Sequence, residues 1–398
     1  MSNPLTTPQL VMPLRHLNEL FNIAHDRPFS ILFANYSWAL GVAGGLALLW
    51  AINAWINVRR GRFDAVEHRF TMPLIAALIV GGFVNVLAEV EQPGHLIYGY
   101  YLGWYNWNTA IIKYGIILLP IFLVLAWWLS FQSVPRQRLG DEIARLPGTW
   151  RKLADIFSFG SRHYSLFDNP ARTRIVLAAM VFLGLFAPMY SALFLMNEHG
   201  VPLWNSPAQA MLFLASAIGV AALLELVVVP ALAWLVTARW AAAPQHNRWT
   251  AVIALAVCTV VWYGWMWWIG RFGTIEEERA ANLFMGPYAK EIFWNWTAIG
   301  LLAPILLLIT PIGRSPVAQA LACAGAVWGS YATRIGILLG GEAINRSGAG
   351  YMNFHHNFEA FWYSGVSALL TLGILAALLA AVPRDEAQST PSSVANKG

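Results

Sequence analysis

The chain has 398 residues, 58% of them hydrophobic and only 11% charged, with a net charge of +5 at pH 7. Soluble domains carry roughly a quarter charged residues, so this composition excludes an ordinary water-soluble globule and points to lipid as the solvent. The two cysteines, Cys258 and Cys323, are too few for the four thiolates of an iron–sulfur cluster, and both fall in apolar runs where free cysteine is a core residue.

The first 30 residues are mixed and polar, without a basic segment leading into an apolar core, so the first span is expected to serve as its own insertion signal. Apolar runs able to cross about 30 Å of hydrocarbon then recur at roughly 35–58, 71–90, 109–131, 172–196, 205–236, 249–270, 290–312, 316–340 and 360–382. Only helices or closed barrels satisfy the backbone in lipid, and barrel strands would be short and alternating. The reading is an all-α integral membrane protein of about nine transmembrane helices.

"ALGVAGG" at 39–45 in span one echoes "AIGVAAL" at 217–223 in span five. Either a duplicated four-helix unit or small residues that let helices approach closely accounts for it. The duplicated reading gives two four-helix bundles plus one extra C-terminal helix. Residues 1–34 form an extracytoplasmic N-terminal segment, 35–196 the first unit, 197–383 the second unit with the ninth helix, and 384–398 a cytoplasmic tail of disordered composition.

Arginine and lysine set the orientation. Arg59, Arg60, Arg62 and Arg69 follow span one, Arg136, Arg138, Arg145, Arg151, Lys152 and Arg162 follow span three, and Arg239, Arg248 and Arg314 follow spans five and seven. The loops after spans two and four have none, which predicts the N-terminus outside and the C-terminus in the cytoplasm. The positive charge is thus a topology signal and does not imply nucleic acid. The long loop at 132–171 contains "DEIARLPGTWRKLADIF", an amphipathic stretch expected to lie on the membrane face.

All nine histidines fall in loops or at span ends, so no haem ligand is expected within the bundle. Charges inside spans are costly and mark cavities or partners. Glu89 lies one turn from the end of span two with Asn85 four residues before it, Lys113 a turn into span three, Glu225 near the middle of span five and Arg334 in the outer half of span eight. Each also has a plainer reading: a snorkelling lysine, a solvated helix end, a helix–helix tie.

The link after span two crowds Tyr98, Tyr100, Tyr101, Trp104, Tyr105 and Trp107 together, and "GYMNFHHNFEAFWYSG" at 350–365 forms a second polar-aromatic patch; interface anchoring and ligand binding both account for such clusters. Carboxylate, amide, imidazole and indole at the depth of a quinone head match what its two oxygens and its protons require. Asn35, Tyr36, Trp38, Asn85 and Glu89 would line such a pocket between spans one to four, His95, Trp107 and Asn108 would bound it from the loop, and Lys113 would stabilise negative charge there. Glu225 and Arg334 are candidates for a proton path or an internal ion pair. Two other readings stay open: a proton- or solute-translocating protein, with Pro188, Pro230 and Pro304 as helix breaks, and a non-catalytic anchor for an external enzyme.

Several stretches carry a resemblance. "NYSWALGVAGGLALLWAI" looks like a Gly-rich first helix, and "AEVEQPGHL" stands where Asp-Leu-Gly-Arg-Pro is common, with Glu89 for the acid, Pro93 matching, and Glu91 and Gln92 in place of Gly and Arg. "VPLWNSPAQAMLFLASAIGVAALLEL" at 201–226 is similar to a Pro-x-Trp-Asn-(Ser/Thr)-Pro…Phe-x-x-Ser-Ala motif, and "RIGILLGGE" at 334–342 to an Arg…Gly-Gly-Gln segment, with Glu342 for Gln. Over nearly its whole length the chain resembles the polysulfide reductase membrane subunit, or NrfD-like, family, in its nine-span type that serves tetrathionate reductases and membrane hydrogenases. The resemblance implies a bacterial inner-membrane subunit free of haem and clusters. It would exchange electrons between a quinone, menaquinone or ubiquinone, and a ferredoxin-like iron–sulfur subunit outside, itself joined to a large catalytic subunit.

Overall fold

The computed structural model describes residues 29–60, 69–90, 98, 111–198, 201, 203–237, 245–286, 288–343 and 358–380. Its helices in chain order are α1 (Ile31–Arg59), α2 (Thr71–Glu89), α3 (Ile112–Gln132), α4 (Arg136–Arg145), α5 (Gly148–Phe157), α6 (Pro170–Met196), α7 (Pro207–Thr237), α8 (His246–Phe272), α9 (Ile275–Met285), α10 (Ala289–Ile309), α11 (Pro316–Ala343) and α12 (Phe358–Ala380). Among the described residues, eight of these are long and apolar enough to cross a membrane. The ninth long helix, α11, has 28 residues, about 42 Å at 1.5 Å per residue. It is less oily because Gln319, Ser330, Thr333, Arg334 and Glu342 interrupt it, and all five are buried in the bundle. The expected span limits agree with the helices to within a few residues.

The neighbours of each helix define two units. In the first, α1 packs on α2 and α6, and α3 closes the ring between α2 and α6. In the second, α7 packs on α8 and α11, and α10 closes the ring between α8 and α11. The lead helices α1 and α7 meet at the centre, while α12 lies on α2 and α1. The echoing segments form that central contact: a Cβ placed on Gly45 would stand 2.4 Å from the carbonyl oxygen of Ala217. Small residues there serve close approach.

An apolar helix without a polar face belongs in the interior, and α1 is buried along most of its length. The outer helices instead present hydrophobic side chains outward, such as Ile121 and Val124 on α3, Ile253 and Val260 on α8, and Leu369 and Leu372 on α12. That surface suits hydrocarbon, and the chain is a multi-pass membrane protein. Pro188 and Pro230 lie inside continuous helices. In α10 the stretch Ile292–Leu302 is wound as a π-helix that ends just before Pro304. Proline cannot donate a backbone bond and crowds the preceding turn, and a wider turn relieves both.

At the base-rich end the amphipathic stretch forms two helices, α4 and α5, separated at Pro147. The Trp127 indole donates to the Phe157 carbonyl at 3.0 Å and ties α5 to α3. Trp150, Ile156 and Phe157 are exposed.

Candidate functional site

Two cavities flank α1 at the end of the molecule opposite α4 and α5. The first, about 290 Å³, lies within the first unit. Phe29, Phe33 and Tyr36 line it from α1 and the residues before it, Phe83, Val86 and Glu89 from α2, Ile112, Gly115 and Leu119 from α3, and Tyr190 and Phe194 from α6. Its wall is aromatic and aliphatic, with few polar groups. The Tyr190 hydroxyl donates to the Ile112 carbonyl at 3.4 Å. The Tyr36 hydroxyl has no hydrogen-bond partner among the described residues.

Glu89 stands at the edge of this cavity with its carboxylate fixed. One oxygen accepts the Ser30 backbone N–H at 2.5 Å and the other accepts the Ser30 hydroxyl. Ser30 caps α1, its side-chain oxygen accepting the Leu32 N–H at 3.1 Å. The carboxylate therefore sits at the positive end of the α1 dipole, a favourable place for negative charge. Glu342, at the end of α11, accepts the neighbouring Phe29 N–H at 2.9 Å. Acids from both units thus hold the two residues that lead into α1. The Phe29 ring packs 5.7 Å from Trp204 and 5.9 Å from Phe194, and the Trp204 indole donates to the Ile337 carbonyl at 2.9 Å. Phe29 is a wall of the first unit's cavity anchored by the second unit.

The second cavity, about 460 Å³, lies on the other side of α1, against α2, α11 and α12. Asn35, Trp38 and Asn85 face it together with Tyr331, Ser364 and Ser367. Here the polar groups are matched to one another. The Asn35 amide donates to Asn85 Oδ1 at 3.0 Å and to Ser364 Oγ at 2.7 Å, and its oxygen accepts the Tyr331 hydroxyl at 2.6 Å. The Asn85 amide donates to Ser367 Oγ at 2.6 Å and to the Gly81 carbonyl at 2.8 Å. The Trp38 indole donates to Ser330 Oγ at 2.9 Å. A network with its valences filled joins helices and offers little to a ligand.

The residues expected around one pocket are thus divided. Tyr36 and Glu89 share the first cavity, and Asn35, Trp38 and Asn85 the second. The reason is angular: residues 35, 38 and 39 share one side of α1, while 33 and 36 share another. Asn85 and Glu89, four apart, fall on either side of the boundary between the cavities. Lys113 is half-buried at the start of α3 and lines neither cavity. His95, Trp107 and Asn108 lie outside the described residues.

Deeper in the bundle, Arg334 is buried where α1, α7 and α11 meet. Its guanidinium donates to Ser216 Oγ and the Ser330 carbonyl at 3.3 Å and to the Phe213 carbonyl at 3.4 Å, and it lies 4.6 Å from the Phe213 ring centre. Gly41 makes room for it, since a Cβ there would stand 2.6 Å from Arg334 Nη2. Glu225 is buried nearer the base-rich end and accepts the Asn247 amide. Glu225 and Arg334 form no ion pair with each other among the described residues: each has its own polar partners, and about 13 Å of helix separates Glu225 from Ser216.

Sequence reading passed over Ser30, Phe29, Tyr331, Ser364 and Ser367. Ser30 carried a signal, being a cap residue just before an apolar run. The others gain their roles from contacts more than 150 positions away, for which periodicity has no marker.

A family model described as Polysulphide reductase, NrfD, matches residues 19–345 of the chain. Both units lie within that match, and α12 lies beyond it. No curated protein matches the chain.

Proposed function

Since the chain belongs to the polysulphide reductase, NrfD, family, whose members are membrane subunits of respiratory oxidoreductases, we propose that its first cavity receives the head of a membrane quinone. The quinone, menaquinone or ubiquinone, would exchange electrons with a ferredoxin-like iron–sulfur subunit docked at the same, extracytoplasmic end, beside a large catalytic subunit. The observation that carries this reading is one cavity that combines aromatic walls, an unmatched Tyr36 hydroxyl and a fixed Glu89 carboxylate.

The fit is chemical. A flat ring with two carbonyl oxygens needs apolar faces, a donor for an oxygen and a group that handles protons. Phe33, Phe83 and Phe194 supply the apolar faces, and Tyr36 has a donor to give. A bound quinone supplies a two-electron, two-proton couple. Glu89 would take or return a proton at its carboxylate oxygen, and the two Ser30 bonds hold that oxygen in one orientation beforehand. The outward-facing apolar side chains of α3 give an isoprenoid tail a route in lipid to the cavity.

The second cavity supports a different role, the seating of α12 through Asn35, Asn85, Ser364 and Ser367. Arg334 and Glu225 would act as separate buried polar centres.

The test is equilibrium binding of a quinone analogue to the purified chain, followed by quenching of tryptophan fluorescence. Val86→Trp, which fills the first cavity, is expected to abolish binding. Undiminished binding by that variant would remove the cavity from the reading.

A further inference from the structure

The base-rich end of the second unit holds a cavity of about 520 Å³ lined by Gln245, His246, Arg248, Trp249 and Arg314. Among the described residues its lining carries two arginines and a histidine and no carboxylate. It lies between the start of α8 and the turn Pro311–Arg314 that follows α10, and the start of α11 stands beside both through Gln319.

Arg248 is only 7% exposed, and its Nη1 has no hydrogen-bond partner among the described residues. A buried guanidinium N–H without an acceptor costs stability unless something fills it. The guanidinium lies 5.0 Å from the Trp249 ring centre, which leaves its edge to other partners. The nearest acid along α7, Glu225, is engaged by the amide of Asn247. The first turn of α8 has no side-chain cap, since Gln245 stands at the cap position without bonding to it. A long helix with uncapped N–H groups attracts anions through its dipole. The frame is built in advance. Gln319 of α11 donates to the Gly313 carbonyl at 3.1 Å and to Gln245 Oε1 at 3.4 Å, which braces the turn carrying Arg314 against the start of α8.

The geometry points to a binding site for a phosphate group, the headgroup of an anionic phospholipid. The cavity lies where three spans reach the membrane surface, the level of lipid phosphates. Below it, exposed apolar residues continue along the same helices: Ile253, Val257 and Val260 on α8 and Val317 and Leu321 on α11. Acyl chains resting on those strips bring a phosphodiester to Arg248, Arg314 and His246. A soluble phosphate has the same headgroup chemistry but no use for the strips. The site is independent of the quinone reading, as it lies at the opposite end of the other unit.

The experiment uses the full chain, delipidated in neutral detergent. Cardiolipin, phosphatidylglycerol, phosphatidylcholine or inorganic phosphate is added, with retention read by native mass spectrometry and the thermal midpoint recorded alongside. The expected result is retention of the anionic lipids at least about tenfold above phosphatidylcholine, with a matching rise in midpoint. Arg314→Gln, a change at an exposed position, should lower that preference about fivefold, and the double variant Arg314→Gln/His246→Gln further. Inorganic phosphate that binds as tightly as the lipids, and is lost in the same variants, would keep the phosphate site and assign it to a soluble anion. Equal retention of anionic and zwitterionic lipid, or an unchanged preference in the double variant of normal midpoint, would overturn the inference.

Discussion

The two sides of helix α1 differ in a way that polarity alone conceals. Toward α12 the wall has more amides and hydroxyls, yet Asn35, Asn85, Tyr331, Ser364 and Ser367 direct their hydrogen bonds to one another. Toward α3 the wall is mostly hydrocarbon, yet it has the unmatched Tyr36 hydroxyl and an acid held ready at its edge. In a membrane protein, the density of polar groups marks how helices are joined. An unfilled valence beside an apolar slot marks where a ligand fits.

Substitutions at four positions test this contrast. Glu89→Gln should have the largest effect, a fall of about hundredfold or more in quinol-linked turnover of the assembled complex. The amide oxygen still accepts the Ser30 N–H, so the complex should be isolated intact; normal turnover would deny Glu89 a part in proton transfer. Asn85→Leu should act on the other side of α1 and on stability only. It strips Asn35 and Ser367 of a buried partner, with a loss of about 2 kcal/mol seen as a lower thermal midpoint and no change in quinone-analogue affinity. An altered affinity at wild-type stability would reverse the roles given to the two cavities.

Glu342→Leu should weaken analogue binding about tenfold, because the Phe29 N–H loses its acceptor and the aromatic wall loosens. Glu342→Gln keeps an acceptor and should bind like the parent; if both variants behave alike, the bond to Phe29 is not what matters. Tyr36→Phe should have the smallest effect, about fivefold in analogue affinity with the midpoint unchanged, since this hydroxyl has no partner to lose among the described residues. A drop in midpoint would show that the hydroxyl is structural.

Much of the architecture could be read from the chain. The length and oiliness of each run are local properties, so the spans, their helical state and the small-residue echo were legible before any contact was known. Glu89, Tyr36 and Arg334 were also legible as polar groups in an apolar setting. Their company was not. Asn35 and Tyr36 are adjacent in sequence but point about 100° apart on a helix. Glu342 bears on the first unit's cavity only because α11 ends beside Phe29, a residue of its wall.

Sequence alone determined the solvent, the class and the course of the helices, because burying an apolar stretch in lipid with its backbone bonded internally is decided within each segment. Tertiary structure decided which residues share a cavity. The rotation of each helix about its axis is set by packing, through contacts such as Gly45 on Ala217 and Gly41 beside Arg334, and these join positions far apart in the chain.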